Sequence, residues 1–148
     1  MDDWGQDAQR RLAEAGFRRG GARSAIVELL DRQQCALSAY EIEDELRAGG
    51  RAVARASVYR VLEELAGVGV LTRVEVGQDS ARYEAARSDE HHHHHMVCDR
   101  CGEVAPFADA ELERAVHRLA RRVAFDVAEH DIVLRGACPA CRAATAAR

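Results

Sequence analysis

Apolar positions recur with two different rhythms along the chain, and the change from one to the other predicts its architecture. Residues 6–15 carry a short helical pattern that Gly16 ends, and residues 22–32 place Ile26, Leu29 and Leu30 on one helical face. Ser38-Ala39-Tyr40-Glu41 is a capping box. The serine hydroxyl and the carboxylate three residues later each satisfy a backbone N–H that the helix would otherwise leave orphaned. That helix runs through Arg47, and Gly49-Gly50 ends it. A further helix over about residues 57–66 buries Val58, Leu62 and Leu65. Its opposite face shows Ser57, Arg60 and Glu64, with Tyr59 at the boundary. The period then falls to two: residues 70–76 and 81–85 read as strands around the turn Gly77-Gln78-Asp79. Helices followed by an outward-facing helix and a hairpin are the order of a winged helix-turn-helix.

Beyond Arg87-Ser88-Asp89-Glu90 the character changes. Met96-Val97 and residues 103–107 predict strand pieces. Asp109 is placed to cap a helix reaching about Val123, with Leu112, Val116, Leu119 and Ala120 inward. Residues 125–134 read as a strand, most apolar at Ile132, Val133 and Leu134. The expected fold is α+β: a winged-helix domain over residues 1–86, a hinge at 87–91, and a small α/β domain over 92–148. The last holds few residues for a core of its own, so pairing with a second copy is expected.

Composition narrows the function classes. The 148 residues are 47% hydrophobic and 31% charged, which excludes wholesale disorder. No uncharged apolar run approaches the ~18 residues of a membrane span, and the polar start MDDWGQDAQRRL does not read as a secretory signal, so a cytoplasmic location and no membrane partner are expected. A net charge of -4 argues against a protein that coats nucleic acid indiscriminately. All basic residues are arginine, however, and two windows lack any acid: residues 15–27, with Arg18, Arg19 and Arg23, and residues 46–62, with Arg47, Arg51, Arg55 and Arg60.

Four of the five cysteines form two C-x-x-C pairs, Cys98/Cys101 and Cys138/Cys141. In a reducing compartment such pairs read as a metal site rather than a disulfide framework. Thiolates three positions apart can both reach one tetrahedral zinc from a tight turn, and Gly102 and Pro139 are suitable turn residues. A thioredoxin-like redox pair needs only one dithiol and leaves the second unexplained. With four thiolates bound, the zinc has no open position and serves structure alone.

Five of the seven histidines are consecutive, His91 to His95. An expression tag or disordered metal-binding tract is the bland reading, but the run is internal and abuts Met96-Val97-Cys98. In a strand, alternate side chains face opposite ways. His92 and His94 then share one face, with Glu113 and His130 as candidate partners, and His93 and His95 share the other, with Glu84 and Cys35. Imidazole and carboxylate together suit zinc, iron and other divalent metals.

The order Ala56-Ser57-Val58-Tyr59-Arg60, then His92 to His95, then the two cysteine pairs resembles the ferric uptake regulator family from about Ala15-Gly16-Phe17 through Cys141. Leu37-Ser38-Ala39-Tyr40-Glu41-Ile42 is similar to its zinc uptake branch. The resemblance implies a cytoplasmic homodimeric repressor of metal-uptake genes whose winged helix reads double-stranded operator DNA, an AT-rich palindrome. It implies a structural zinc at Cys98, Cys101, Cys138 and Cys141, and a site in the dimerisation domain at His92, His94, Glu113 and His130. A regulatory hinge site would take zinc or iron(II) through His93, His95, Glu84 and Cys35. The link between Glu84 and the histidines is two residues longer than the family pattern, and Cys35-Ala36 stands where the family commonly has a histidine, so His91 is a further candidate. Tyr59, Arg60 and Ser57 fall on the reading helix, Arg23 on the family's N-terminal basic contact, and Arg18 and Arg19 within reach of the DNA backbone or minor groove. Zinc is the expected effector; iron(II) or peroxide sensing is the alternative within the family.

An enzyme is disfavoured. The chain lacks the His-x-Glu of a zinc deaminase, His-Glu-x-x-His, a P-loop and Gly-x-Ser-x-Gly. A metal buffer would explain the histidine run but not the Tyr59-Arg60 helix.

Overall fold

The computed structural model describes residues 3–76, 81–87 and 92–146. It divides into two compact units, Met1–His91 and His92–Arg148. The turn expected at Gly77-Gln78-Asp79 lies outside the described residues, as does His91.

The first unit packs four helices on a three-stranded antiparallel sheet: α1 (Trp4–Glu14), α2 (Gly21–Arg32), β1 (Leu37–Ser38), α3 (Ala39–Ala48), α4 (Arg55–Gly67), β2 (Leu71–Glu75) and β3 (Ala81–Ala85). The sheet order is β1-β3-β2, with Leu37 opposite Tyr83 and Thr72 opposite Glu84. Ile26, Leu30, Ile42, Val58, Val61, Leu62 and Leu65 are fully buried where the helices meet. The Trp4 indole N–H donates to the Val70 carbonyl at 2.8 Å, fastening α1 to the start of the hairpin. The capping box forms as expected: the Glu41 N–H donates to Ser38 Oγ at 3.2 Å, and the Ser38 N–H donates to Glu41 Oε2 at 2.8 Å. Arg82 Nη1 reaches the same carboxylate at 2.7 Å and so ties β3 to the start of α3. Gly50, at φ +76°, closes α3 in the left-handed region and turns the chain towards α4. The result is a winged helix-turn-helix with α3 and α4 as its helical pair.

The second unit contains β4 (His94–Cys98), β5 (Val104–Phe107), α5 (Ala110–Arg122), β6 (Val133–Gly136) and α6 (Pro139–Ala146). The sheet order is β5-β4-β6, antiparallel between β4 and β5 and parallel between β4 and β6. Asp109 caps α5 by accepting the Leu112 N–H at 2.8 Å. Glu111 and Glu113 in the first turn and Arg121 and Arg122 in the last complement the helix dipole.

Three expectations are corrected here. Residues 125–132 are not strand, and β6 begins only at Val133. The cause is the end of α5, where Ala124 takes φ +52° and the Phe125 N–H donates to the Ala120 carbonyl at 3.0 Å. This Schellman closure turns the chain out of line with the helix. Along α5, Leu112, Val116 and Ala120 are half-buried on one face as expected, but Leu119 is 49% exposed and no residue of the helix is fully buried. Finally, Pro139 does more than shape a turn, because it opens α6 at the position where proline's missing N–H costs nothing.

Candidate metal centres and nucleic-acid interface

Cys98 ends β4, Cys101 follows in the turn, and Cys138 and Cys141 flank the start of α6. Gly102, at φ +78°, lets the first knuckle fold back, with its N–H on the Cys98 carbonyl at 2.9 Å. The four sulfurs lie within 4.8 Å of one another, and Cys101 Sγ is 3.8 Å from Cys138 Sγ. That separation is far beyond a disulfide bond. It equals the edge of a tetrahedron of sulfurs about 2.3 Å from a central zinc, which is about 3.8 Å. The electrostatics agree. Backbone N–H groups of Cys138, Cys101 and Arg100 bring the Cys98 thiol down to about 6. Hydrogen bonds with Cys138 and then Cys101 push Cys141 up to about 12. One thiolate is prepared, while the crowd of sulfurs opposes a second and third. A dication at the centre removes that conflict, so the four residues fit a closed structural zinc site.

The consecutive histidines sort by alternate positions, although β4 begins only at His94 and His92 and His93 precede the strand. The rings of His92 and His94 lie 4.6 Å apart and both approach His130, at 4.7 and 5.2 Å. His93 and His95 pair separately, 5.0 Å apart. On the first face Glu113, from the first turn of α5, meets His94 Nε2 at 2.6 Å, His130 Nε2 at 3.0 Å and His92 Nε2 at 3.8 Å. Burial works to raise the Glu113 pKa, but the His94 hydrogen bond and the charges of His130, His94 and His92 outweigh it and hold the carboxyl below its ordinary value. The Ile132 N–H donates to His94 Nδ1 at 3.2 Å, which leaves Nε2 to face Glu113. A cation bound there would take the place of a proton between the two. Three imidazoles and one carboxylate within 4.8 Å fit a borderline divalent metal.

Of the residues expected at the hinge, Glu84 lies on β3 and Cys35 precedes β1, both half-buried in the first unit. His95 is buried and His93 half-buried in the second.

On α4, Arg60 is exposed, Tyr59 is 42% exposed and Ser57 is half-buried in the first turn. Arg18 and Arg19 are exposed between α1 and α2. Arg23 is engaged within the fold. Its Nε and Nη2 bind Glu64 of α4 at 2.5 and 2.8 Å, and its Nη1 donates to the Arg18 carbonyl at 2.9 Å. Three of its five N–H groups are engaged in this way, which leaves one on each Nη for a DNA contact. The acid-free windows are thus partly neutralised from other helices: Arg51 by Glu28 at 2.6 Å, Arg55 by Glu43 at 2.7 Å, and Arg23 by Glu64. Sequence reasoning gave Arg55 no individual role, although the second window contains it. Its guanidinium lies 3.8 Å from the centre of the Tyr40 ring.

Comparison with known proteins bears on the whole arrangement. The family model described as the ferric uptake regulator family matches residues 14–135. The chain is 34% identical over 131 residues to the zinc uptake regulation protein of Mycobacterium tuberculosis, covering 88% of this chain and 99% of that one. It is 36% identical over 124 residues to the ferric uptake regulation protein of Pseudomonas aeruginosa, covering 83% and 91%. The structure of the Helicobacter pylori ferric uptake regulator Fur, described as revealing three functional metal binding sites, superposes with a TM-score of 0.80 at 26% identity, covering 93% and 90%. Among the described residues no helix is long and apolar enough to cross a membrane. The winged helix, the two cysteine knuckles and a match spanning most of the length agree, and the chain belongs to the ferric uptake regulator family, whose members are metal-responsive DNA-binding transcription regulators and not enzymes.

Proposed function

We propose that the protein is a zinc-responsive homodimeric repressor of metal-uptake genes, binding an AT-rich palindromic operator in the cytoplasm. In this reading Cys98, Cys101, Cys138 and Cys141 hold a structural zinc. His92, His94, Glu113 and His130 form a second site, and His93 and His95 join Glu84 and Cys35 in the regulatory one. The observation that carries the reading is the division of the histidine tract. One segment offers His92 and His94 to Glu113 and His130, and turns His93 and His95 the other way. With the two ligand groups of the second unit, this proposed third site parallels the three functional metal sites reported for the Helicobacter pylori relative.

The switching is a linkage. Glu84 and Cys35 belong to the reading unit, and His93 and His95 belong to the other. A divalent ion supplies charge that these donors can share. Its binding shifts the reader only by the extra affinity the four residues have for it in the DNA-competent arrangement, and DNA must raise metal affinity by the same factor. Arg60 and Tyr59 meet base edges or phosphate, while Ser57, Arg18, Arg19 and Arg23 supply the surrounding contacts. Zinc is favoured over iron(II) because a Cys35 thiolate is a soft ligand. Iron(II) or peroxide sensing is the second reading, supported by the oxygen and nitrogen donors at Glu113 and by the similarity to the Pseudomonas aeruginosa ferric regulator.

The test is operator binding titrated against free zinc and free iron(II), for the wild type and for a variant with His93→Ala and His95→Ala. Zinc is expected to stimulate wild-type binding at the lower free concentration. The variant is expected to stay folded and dimeric with its metal response lost. Unchanged metal dependence in the variant would exclude His93 and His95 from the regulatory site.

A further inference from the structure

Arg55 is the first residue of α4, and α3 grips it from two sides. Its Nε donates to Glu43 Oε2 at 2.7 Å, and its guanidinium plane rests against Tyr40, 3.8 Å from the ring centre. Glu43 is itself steadied by Arg47, whose Nη2 donates to it at 2.8 Å. The Arg55 side chain nonetheless remains 45% exposed, and among the described residues its Nη1 and Nη2 make no hydrogen bond. Tyr59 lies one turn further along the same face of α4.

Stabilising Glu43 does not use up this arginine: the mostly covered carboxylate, 12% exposed, already has Arg47 as a partner, and Arg55 engages it with its Nε alone. The carboxylate cancels much of the side chain's net charge and so weakens its pull on a phosphate. What survives is a rigid pair of N–H donors whose rotamer freedom has already been given up. A planar fork presented at the start of a reading helix matches the two acceptors, O6 and N7, that guanine shows in the major groove.

We propose that Arg55, held by Tyr40 and Glu43, reads a guanine in each operator half-site through Nη1 and Nη2. The inference rests on α4 being the reading helix, as proposed above.

The experiment selects sequences from a pool of randomised DNA duplexes with the metal-loaded full-length chain, separately for wild type, Arg55→Ala and Arg55→Lys. Affinity for the wild-type motif is then measured over a range of salt. Lysine keeps the charge but has neither the fork nor the stacking plane, and it retains a foldable helix start if alanine does not. Both variants are expected to relax one guanine position per half-site, losing roughly 10- to 100-fold discrimination there, while the other positions and the salt dependence stay as in wild type. An unchanged selected motif in both variants overturns the assignment. So does uniform weakening of all sequences by Arg55→Ala with the salt slope reduced by about one, which marks a phosphate contact. If the wild type itself enriches no motif with zinc or iron(II), the DNA-reading role of α4 fails beneath it.

Discussion

At the scale of single residues, the ion pair between Arg23 and Glu64 shows how a charge can be positioned by chemistry that a stretch of sequence does not contain. The two side chains come from α2 and α4, are mostly covered, and meet through two hydrogen bonds. The Arg23 hydrogen bond holds the Glu64 carboxyl below its ordinary value, against the opposing effect of burial. A carboxylate with a depressed folded pKa stabilises the fold above its unfolded pKa, and that contribution disappears as pH falls through the folded value. Glu64→Gln should therefore cost about 1–3 kcal/mol at neutral pH. The gap to wild type should close as the solution is taken below the ordinary carboxylate range. Denaturant unfolding of both proteins across acid pH measures it, and a gap independent of pH would mean the pair contributes packing alone. The same residues explain why the acid-free arginine windows overstate the free positive charge: Glu64, Glu43 and Glu28 arrive from elsewhere in the fold.

At the scale of elements, what could be read in advance was whatever closes locally. The capping box of α3 and the Asp109 cap of α5 need partners only three residues apart, and both form. The histidines pair by alternate positions, as the two-residue period of a strand predicts, although only His94 and His95 lie within β4. The end of α5 was not legible because its left-handed residue is Ala124, which carries no glycine signal, and the apolar Phe125 and Val127 beyond it imitate a strand. A non-glycine residue in that region costs roughly 1–2 kcal/mol, of which glycine's greater freedom in the unfolded chain returns a part. Ala124→Gly is accordingly expected to raise stability by up to about 1 kcal/mol, seen as a higher denaturation midpoint with an unchanged denaturant slope. A lower midpoint would show that the Schellman closure is not strained at Ala124.

At the scale of the whole molecule, the two units differ in how completely each can stabilise itself. The first has a continuous core running from Trp4 to Leu71. In the second, the buried residues among those described are His94, His95, Val97 and Cys98, while Leu119, Val123, Phe125 and Leu134 stand exposed, Phe125 at 70%. An apolar surface of that kind, on a unit whose own core is so small, is what a second copy would cover. The sequence pattern puts Leu119 on the inward face of α5, but within this chain nothing buries it and it stands 49% exposed. If a second copy does cover this face, replacing Leu119 and Phe125 together by Asp should give monomers, detected as a halved mass by sedimentation. The four cysteines lie within one chain and should keep their zinc in that monomer, so metal content separates loss of pairing from loss of fold. Operator affinity should then fall steeply while contact with a single half-site persists weakly, since one reader remains where two acted together. A variant that stays dimeric would move the interface away from α5, and a monomer with undiminished operator affinity would show that pairing contributes nothing to reading DNA.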